Sequence, residues 1–214
     1  MIIVLDNLLT PSYADAIEHE VKNLRYLYLE QTSEYSKEVP FIITTPETKD
    51  YGQFSCSILH KEDTQSQSFR LDFFELVRPI FYSAQDRLEM KFPGLTRVKA
   101  NILLQQPTAP ADHYNIPHQD SKGNTLSMVY YCNDSDGDTF LFNEFYTGKP
   151  PERLTIKERI TPKKNRAVIF DSTRYHASSN PIHTNARFVL NFVIVKSTIN
   201  EDTSNEPNQE GSIY

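Results

Sequence analysis

Asn115-Ile116-Pro117-His118-Gln119-Asp120 sets an imidazole and a carboxylate two residues apart, where a loop is expected to enter a strand. In extended backbone the side chains alternate faces, so His118 and Asp120 point to one side and can grip a single cation. That is half of a metal site. A second imidazole, His176, follows the strand candidate Ala167 to Asp171 after Ser172-Thr173-Arg174-Tyr175, and Arg187 opens the last strand candidate. Two imidazoles and one carboxylate, with coordination positions left over, form a donor set that suits non-haem Fe(II).

Outward from this stretch the chain is rich in strands. Arg97 to Gln105, Thr125 to Asn133, Thr139 to Phe142, Leu154 to Ile160, Ala167 to Asp171 and Phe188 to Val195 all read as extended. Asp134-Ser135-Asp136-Gly137-Asp138 is a tight turn between two of them. A calcium loop is the competing use of its three carboxylates, but the run is too short for the twelve-residue pattern and lacks the closing Glu.

Ahead of the strands lie two helical patterns. Ile2 to Leu5 is a short strand, then Thr10 caps a helix that starts at Pro11, with Ile17, Val21, Leu24 and Leu27 or Tyr28 at helical spacing to about Leu29. His19, between Glu18 and Glu20, faces solvent on it. The second helix runs from Ser68 to about Met90 through Phe69, Phe73, Leu76, Val77, Ile80, Ala84 and Leu88. Pro79 should kink or split it, and Phe92-Pro93-Gly94 should stop it. Between the helices, Val39 to Ile43 and Gln53 to Leu59 read as two strands, a hairpin that either extends a sheet or covers a cleft; His60 is expected to be exposed. The layout is α+β, with the helices backing one face of a sheet.

With 214 residues, 38% of them hydrophobic and 23% charged, the chain suits one soluble domain. We expect a single domain over residues 1–197, with helical support in 1–94 and a strand-rich core in 95–197, and a flexible tail at 198–214. The net charge of -6 argues against unspecific nucleic-acid binding. Cys56 and Cys132 alone make no disulfide framework and read as reduced thiols. No signal peptide or membrane span is evident, so a cytoplasmic protein is expected.

The order of these parts resembles the Fe(II)- and 2-oxoglutarate-dependent oxygenases, in their prolyl 4-hydroxylase-like branch. The resemblance covers about Arg97 to Val195. It implies a double-stranded β-helix, or jelly roll, in which His118, Asp120 and His176 hold iron and are the catalytic centre. It also implies that Arg187, eleven residues after His176, binds the far carboxylate of 2-oxoglutarate, a role that suits the planar guanidinium fork. Tyr130-Tyr131-Cys132-Asn133 resembles the family's Tyr-Tyr-Leu-Asn run, which makes Tyr131 the hydroxyl donor to the same carboxylate and puts Tyr130 on the opposite face. Asn101 or Gln105 is the polar contact to the cosubstrate from the strand before the iron motif; the sequence leaves that choice open. His113 and His183 are read as bystanders. Arg174 either reaches substrate or solvates its loop.

The implied cofactors are Fe(II), 2-oxoglutarate and O2, with ascorbate compatible as an auxiliary. The implied reaction is hydroxylation of an unactivated C–H bond, with release of succinate and CO2. Asp120 favours hydroxylation over halogenation, because family halogenases replace this carboxylate by a small residue. The substrate is a prolyl or other amino-acid side chain, in protein, peptide or small-molecule form. Two alternatives stand beside it. One is a non-catalytic jelly roll that binds a ligand or partner. The other is nucleic-acid demethylation, which the family performs with a second Arg six positions after the first; here that position is Val193. Oligomeric state is not legible.

Overall fold

The computed structural model describes residues 1–32, 49–60, 70–121 and 123–196. Among these the elements run β1 (Ile2–Leu5), α1 (Pro11–Lys22), β2 (Leu27–Leu29), β3 (Gln53–His60), α2 (Leu71–Leu88), β4 (Gly94–Leu104), β5 (Thr125–Tyr131), β6 (Thr139–Phe145), β7 (Ile156–Ile160), β8 (Arg166–Asp171), β9 (Arg174–Ser178) and β10 (Ala186–Val195). Seven strands form an antiparallel major sheet in the order β1-β8-β5-β10-β4-β3-β2, and β7-β6-β9 form a minor sheet. This is the double-stranded β-helix with the two helices on the outside of one sheet.

Alternation along the central strands builds both layers. Met128 and Tyr130 of β5 and Leu190, Phe192 and Ile194 of β10 point outward. They pack with Ile17 and Val21 of α1 and Phe73, Val77, Ile80 and Ala84 of α2 in one apolar cluster. Val129, Tyr131, Val168, Phe170 and Val189 point inward and meet Leu141 and Ile160 of the minor sheet. All seven residues of β5 are buried, as expected for a strand covered on both faces.

Three local expectations need correction. α1 ends at Lys22, not near Leu29: Asn23 caps it with its side chain on the His19 carbonyl at 3.0 Å, and Leu27–Leu29 turn back to pair with β3. The apolar period of α1 runs on by coincidence, since Leu27 and Tyr28 are exposed, and strand pairing overrides it. Pro79 does not split α2, which runs through it as one helix held by packing of Val77, Ile80 and Ala84 against the sheet. His118 and Asp120 do not start a strand; they lie in a loop joined to β9 of the minor sheet by a bridge from His118 to His176 and by a bond from Asn115 N to Ser178 O at 2.8 Å.

β3 settles the choice between extension and cover, because it pairs with both β2 and β4 and so extends the major sheet. Its expected hairpin partner, Val39 to Ile43, lies outside the described residues, as does the tail after residue 196. Cys56 and Cys132 are buried and free. No described helix is long and apolar enough to cross a membrane.

Candidate active site

The loop carrying His118 is fastened to β9 by two backbone bonds, His118 N to His176 O and His176 N to His118 O, both 2.9 Å. Asp120 N donates to Ser172 O at 3.1 Å, which anchors the next turn. These three bonds, not a shared strand, bring the chemistry together. Donor atoms of His118, Asp120 and His176 all lie within 4.8 Å of one another.

Each imidazole is oriented by the backbone. His118 Nδ1 lies 3.0 Å from Ile116 O, and His176 Nδ1 lies 3.1 Å from Arg174 O. A carbonyl can only accept, so both Nδ1 atoms carry the proton and both Nε2 atoms present lone pairs. Burial, helped by His118 and opposed by Asp120, pushes His176 down to about 4, so it is neutral at physiological pH. Its Nε2 nevertheless sits 3.5 Å from Asp120 Oδ2. Two lone pairs facing each other at that distance in a buried site repel unless a cation lies between them. The residues fit a metal ion.

Asp120 is held from several sides. Its Oδ2 accepts Ser127 Oγ at 2.6 Å and Asn191 Nδ2 at 3.4 Å, and its Oδ1 accepts Arg97 Nη2. Burial raises its pKa, but Arg97, His176, His118 and Ser127 outweigh that and keep the carboxyl ionised well below the usual carboxylate range.

Beside the two imidazoles a cavity runs into the barrel, lined by Asn101, Leu103, Val129, Thr139, Arg187 and Val189 among others. Arg187 is buried at 4% exposure, and among the described residues no carboxylate pairs with it. Its Nη2 donates to Thr139 Oγ1 at 2.8 Å, its guanidinium lies 5.6 Å from the Tyr131 ring, and its Nε has no partner. Burial pulls its pKa down, which Tyr131 opposes. Tyr131 OH also donates to Thr139 Oγ1 at 2.8 Å, and burial raises its pKa, so it keeps its proton. Asp138 acts on it only from beyond salt-bridge distance, and a buried guanidinium with an empty donor and no carboxylate in direct contact fits a carboxylate ligand.

Tyr131 points into this interior, while Tyr130 packs in the helix-side layer. Asn101 lines the cavity with its buried Oδ1 unpartnered, whereas Gln105 is tied to Ile182 O at 2.8 Å. His113 is buried in loop structure, between Pro110 O and the backbone N of Asn180, and His183 uses its backbone N on Asp136. Arg174 neither reaches the cavity nor solvates its loop: it is buried, donates to Phe142 O and stacks on Phe145. Thr139, Arg97 and Asn191 are candidate site residues that the sequence reading missed. For Arg97 and Asn191 a parity signal existed, since 97 and 101 share one face of β4, and 187 and 191 one face of β10; Thr139 had none.

Residues 106–195 match the model of the 2OG-Fe(II) oxygenase superfamily. No curated protein matches the chain in sequence. Among solved structures, a prolyl hydroxylase from Trichoplax adhaerens in complex with a hypoxia-inducible-factor degradation-domain peptide superposes with TM-score 0.53 at 16% identity, covering 91% of this chain and 83% of that one. A 2OG-Fe(II) oxygenase family oxidoreductase from Burkholderia pseudomallei gives 0.58 at 12% identity, covering 91% and 84%. The epimerase SnoN, in complex with Fe3+, α-ketoglutarate and nogalamycin RO, gives 0.54 at 11% identity, covering 99% and 90%. At these identities the likeness is one of fold.

Proposed function

We propose, for a chain that carries a 2OG-Fe(II) oxygenase domain over residues 106–195, that it hydroxylates an unactivated C–H bond of an amino-acid side chain, prolyl or other, in free or peptide form. His118, Asp120 and His176 would hold Fe(II) and are the catalytic centre. Arg187, Tyr131 and Asn101, with Thr139, would bind 2-oxoglutarate. The observation that carries the reading is the pair of unmet demands at the two ends of one cavity: opposed lone pairs on His176 and Asp120, and a buried Arg187 whose Nε has no partner and which makes no salt bridge among the described residues.

When bound, iron, 2-oxoglutarate and O2 supply oxidising power that side chains lack, with succinate and CO2 as co-products. The protein's part is placement. Neutral Nε2 atoms and an ionised Asp120 present the donors, Arg187 and Tyr131 take the distal carboxylate, and Leu103, Val129 and Val189 keep water from the cavity walls. The neighbour crystallised with a peptide supports a peptide-borne substrate.

The test is anaerobic titration with Fe(II) and then 2-oxoglutarate, watching for the visible charge-transfer band of the chelated complex. The wild type should develop it. His176→Ala should remain folded by circular dichroism and lose both iron and band; unchanged iron stoichiometry in that variant refutes the ligand assignment.

A further inference from the structure

On the other side of the metal-ligand cluster lies a second cavity, of about 430 Å³, lined by His60, Thr96, Arg97, Asp120, Ser121 and Val193 among others. It shares no lining residue with the cavity of Arg187. Its volume is that of a small-molecule site.

We propose that this cavity binds a small substrate through an anionic group, a carboxylate or phosphate, held by Arg97. The proposal rests on the oxygenase reading of the adjoining site. Asp120 is the one carboxylate paired with Arg97 among the described residues, and it is also a candidate metal ligand. A cation on Oδ2 draws on the charge of Asp120 and leaves the guanidinium under-compensated. One Nη2 bond is committed to Asp120, and Nε is buried without an acceptor. With 22% of its side chain exposed, Arg97 lines the cavity and remains reachable. A partly desolvated guanidinium in this condition calls for a second anion, and its fork suits carboxylate or phosphate.

The rest of the cavity agrees. Antiparallel pairing sets His60 directly opposite Arg97, and Thr96 and Ser121 add hydroxyls. Asp120 is the only acidic residue among the described lining residues, although the chain as a whole carries a charge of -6. Arg97 is one hydrogen bond from a candidate metal ligand, so the C–H bond oxidised lies within a few bonds of the anionic group. A free amino acid, another small acid or a phosphate ester meets that condition. A prolyl or other uncharged residue inside a polypeptide, its carboxyl locked in an amide, does not.

The test uses the anaerobic Fe(II)/2-oxoglutarate complex and three probes: acetate, its neutral isostere acetamide, and inorganic phosphate. Acetate or phosphate should perturb the charge-transfer band and acetamide should not; whichever anion acts at lower concentration identifies the group. Because Arg97 also holds Asp120, Arg97→Gln is compared at saturating Fe(II) and 2-oxoglutarate, where it should bind that anion about tenfold to a hundredfold more weakly, as expected for loss of a charge-assisted pair. Equal response to acetamide, or an undiminished anion response in Arg97→Gln, overturns the proposal. So does binding of an acidic peptide amide where neither small anion acts. If Arg97→Gln abolishes the band, its role in orienting Asp120 dominates, and His60→Ala, which leaves Asp120 untouched, decides: anion affinity should fall severalfold, and no change rejects the site. A wild type without any band is a different result, which removes the oxygenase reading itself and this proposal with it.

Discussion

Thr139 holds one hydroxyl between two donors, Arg187 Nη2 and Tyr131 OH, each at 2.8 Å. With both lone pairs of Oγ1 occupied, its own proton is directed elsewhere, and the residue lines the cavity. The same atom thus fixes the guanidinium and the phenol and keeps a donor for a bound carboxylate. Thr139→Val preserves shape and removes all three interactions. It should weaken 2-oxoglutarate about tenfold and cost about 1–3 kcal/mol of stability, because two buried donors lose their acceptor. Thr139→Ser should retain most of both. Titration of the charge-transfer band and urea unfolding read the two effects separately, and a Val variant with wild-type cosubstrate affinity would show that the hydroxyl plays no part in binding.

The loop that delivers Arg187 to β10 is built by one carboxylate. Asp136 accepts from the backbone N of Ile182, His183 and Thr184 and from Thr184 Oγ1. Burial raises its pKa, but these bonds more than compensate and hold the carboxyl below its ordinary range. Its contribution is therefore complete at neutral pH and is lost as pH falls from about 4 toward the depressed folded value. Asp136→Asn should be about 1 kcal/mol less stable at pH 7, a small figure because the side chain is partly exposed. The gap to the wild type should narrow at pH 3; a constant gap across that range would mean the charge is not what matters. The acidic turn was legible as a turn because its composition is local, and its three carboxylates have loop and ion-pair duties in place of calcium. Strands β4, β5, β6, β8 and β10 were legible for a similar reason, since alternating or continuous apolar runs are written in neighbouring residues. β9 was not, because Arg174 and His176 put polar side chains on its inward face. The end of α1 was hidden by an apolar period that outlasts the helix. His118, Asp120, His176, Arg187 and Tyr131 were singled out as candidates through motif order, whereas Arg97 and Thr139 gain their meaning only from partners 23 and 48 residues away.

At the scale of the whole molecule, β5 is the partition between a helix-backed layer and the barrel interior, and Tyr130 and Tyr131 stand on its two sides. Tyr130 OH donates to Asn165 Oδ1 at 3.2 Å in the outer layer. Asn165, at φ 65°, binds Leu9 through both atoms of its amide and Leu8 through its backbone carbonyl, and so fastens the β1–α1 connection to the major sheet. Tyr131 reaches only inward, to Thr139 and Arg187. Removing one hydroxyl from each should therefore separate stability from binding. Tyr130→Phe should lose about 1 kcal/mol of unfolding free energy, the net worth of one buried hydrogen bond, with 2-oxoglutarate affinity unchanged. Tyr131→Phe should weaken 2-oxoglutarate severalfold, since it removes the bond that orients the Thr139 hydroxyl on the wall of the Arg187 cavity, and should disturb the outer layer little. Because a one-residue slip of β5 would exchange the two side chains, the pair also checks the register itself. If Tyr130→Phe were the variant to lose cosubstrate affinity, the partition would be inverted, and the assignment of Arg187 to the same cavity would fall with it.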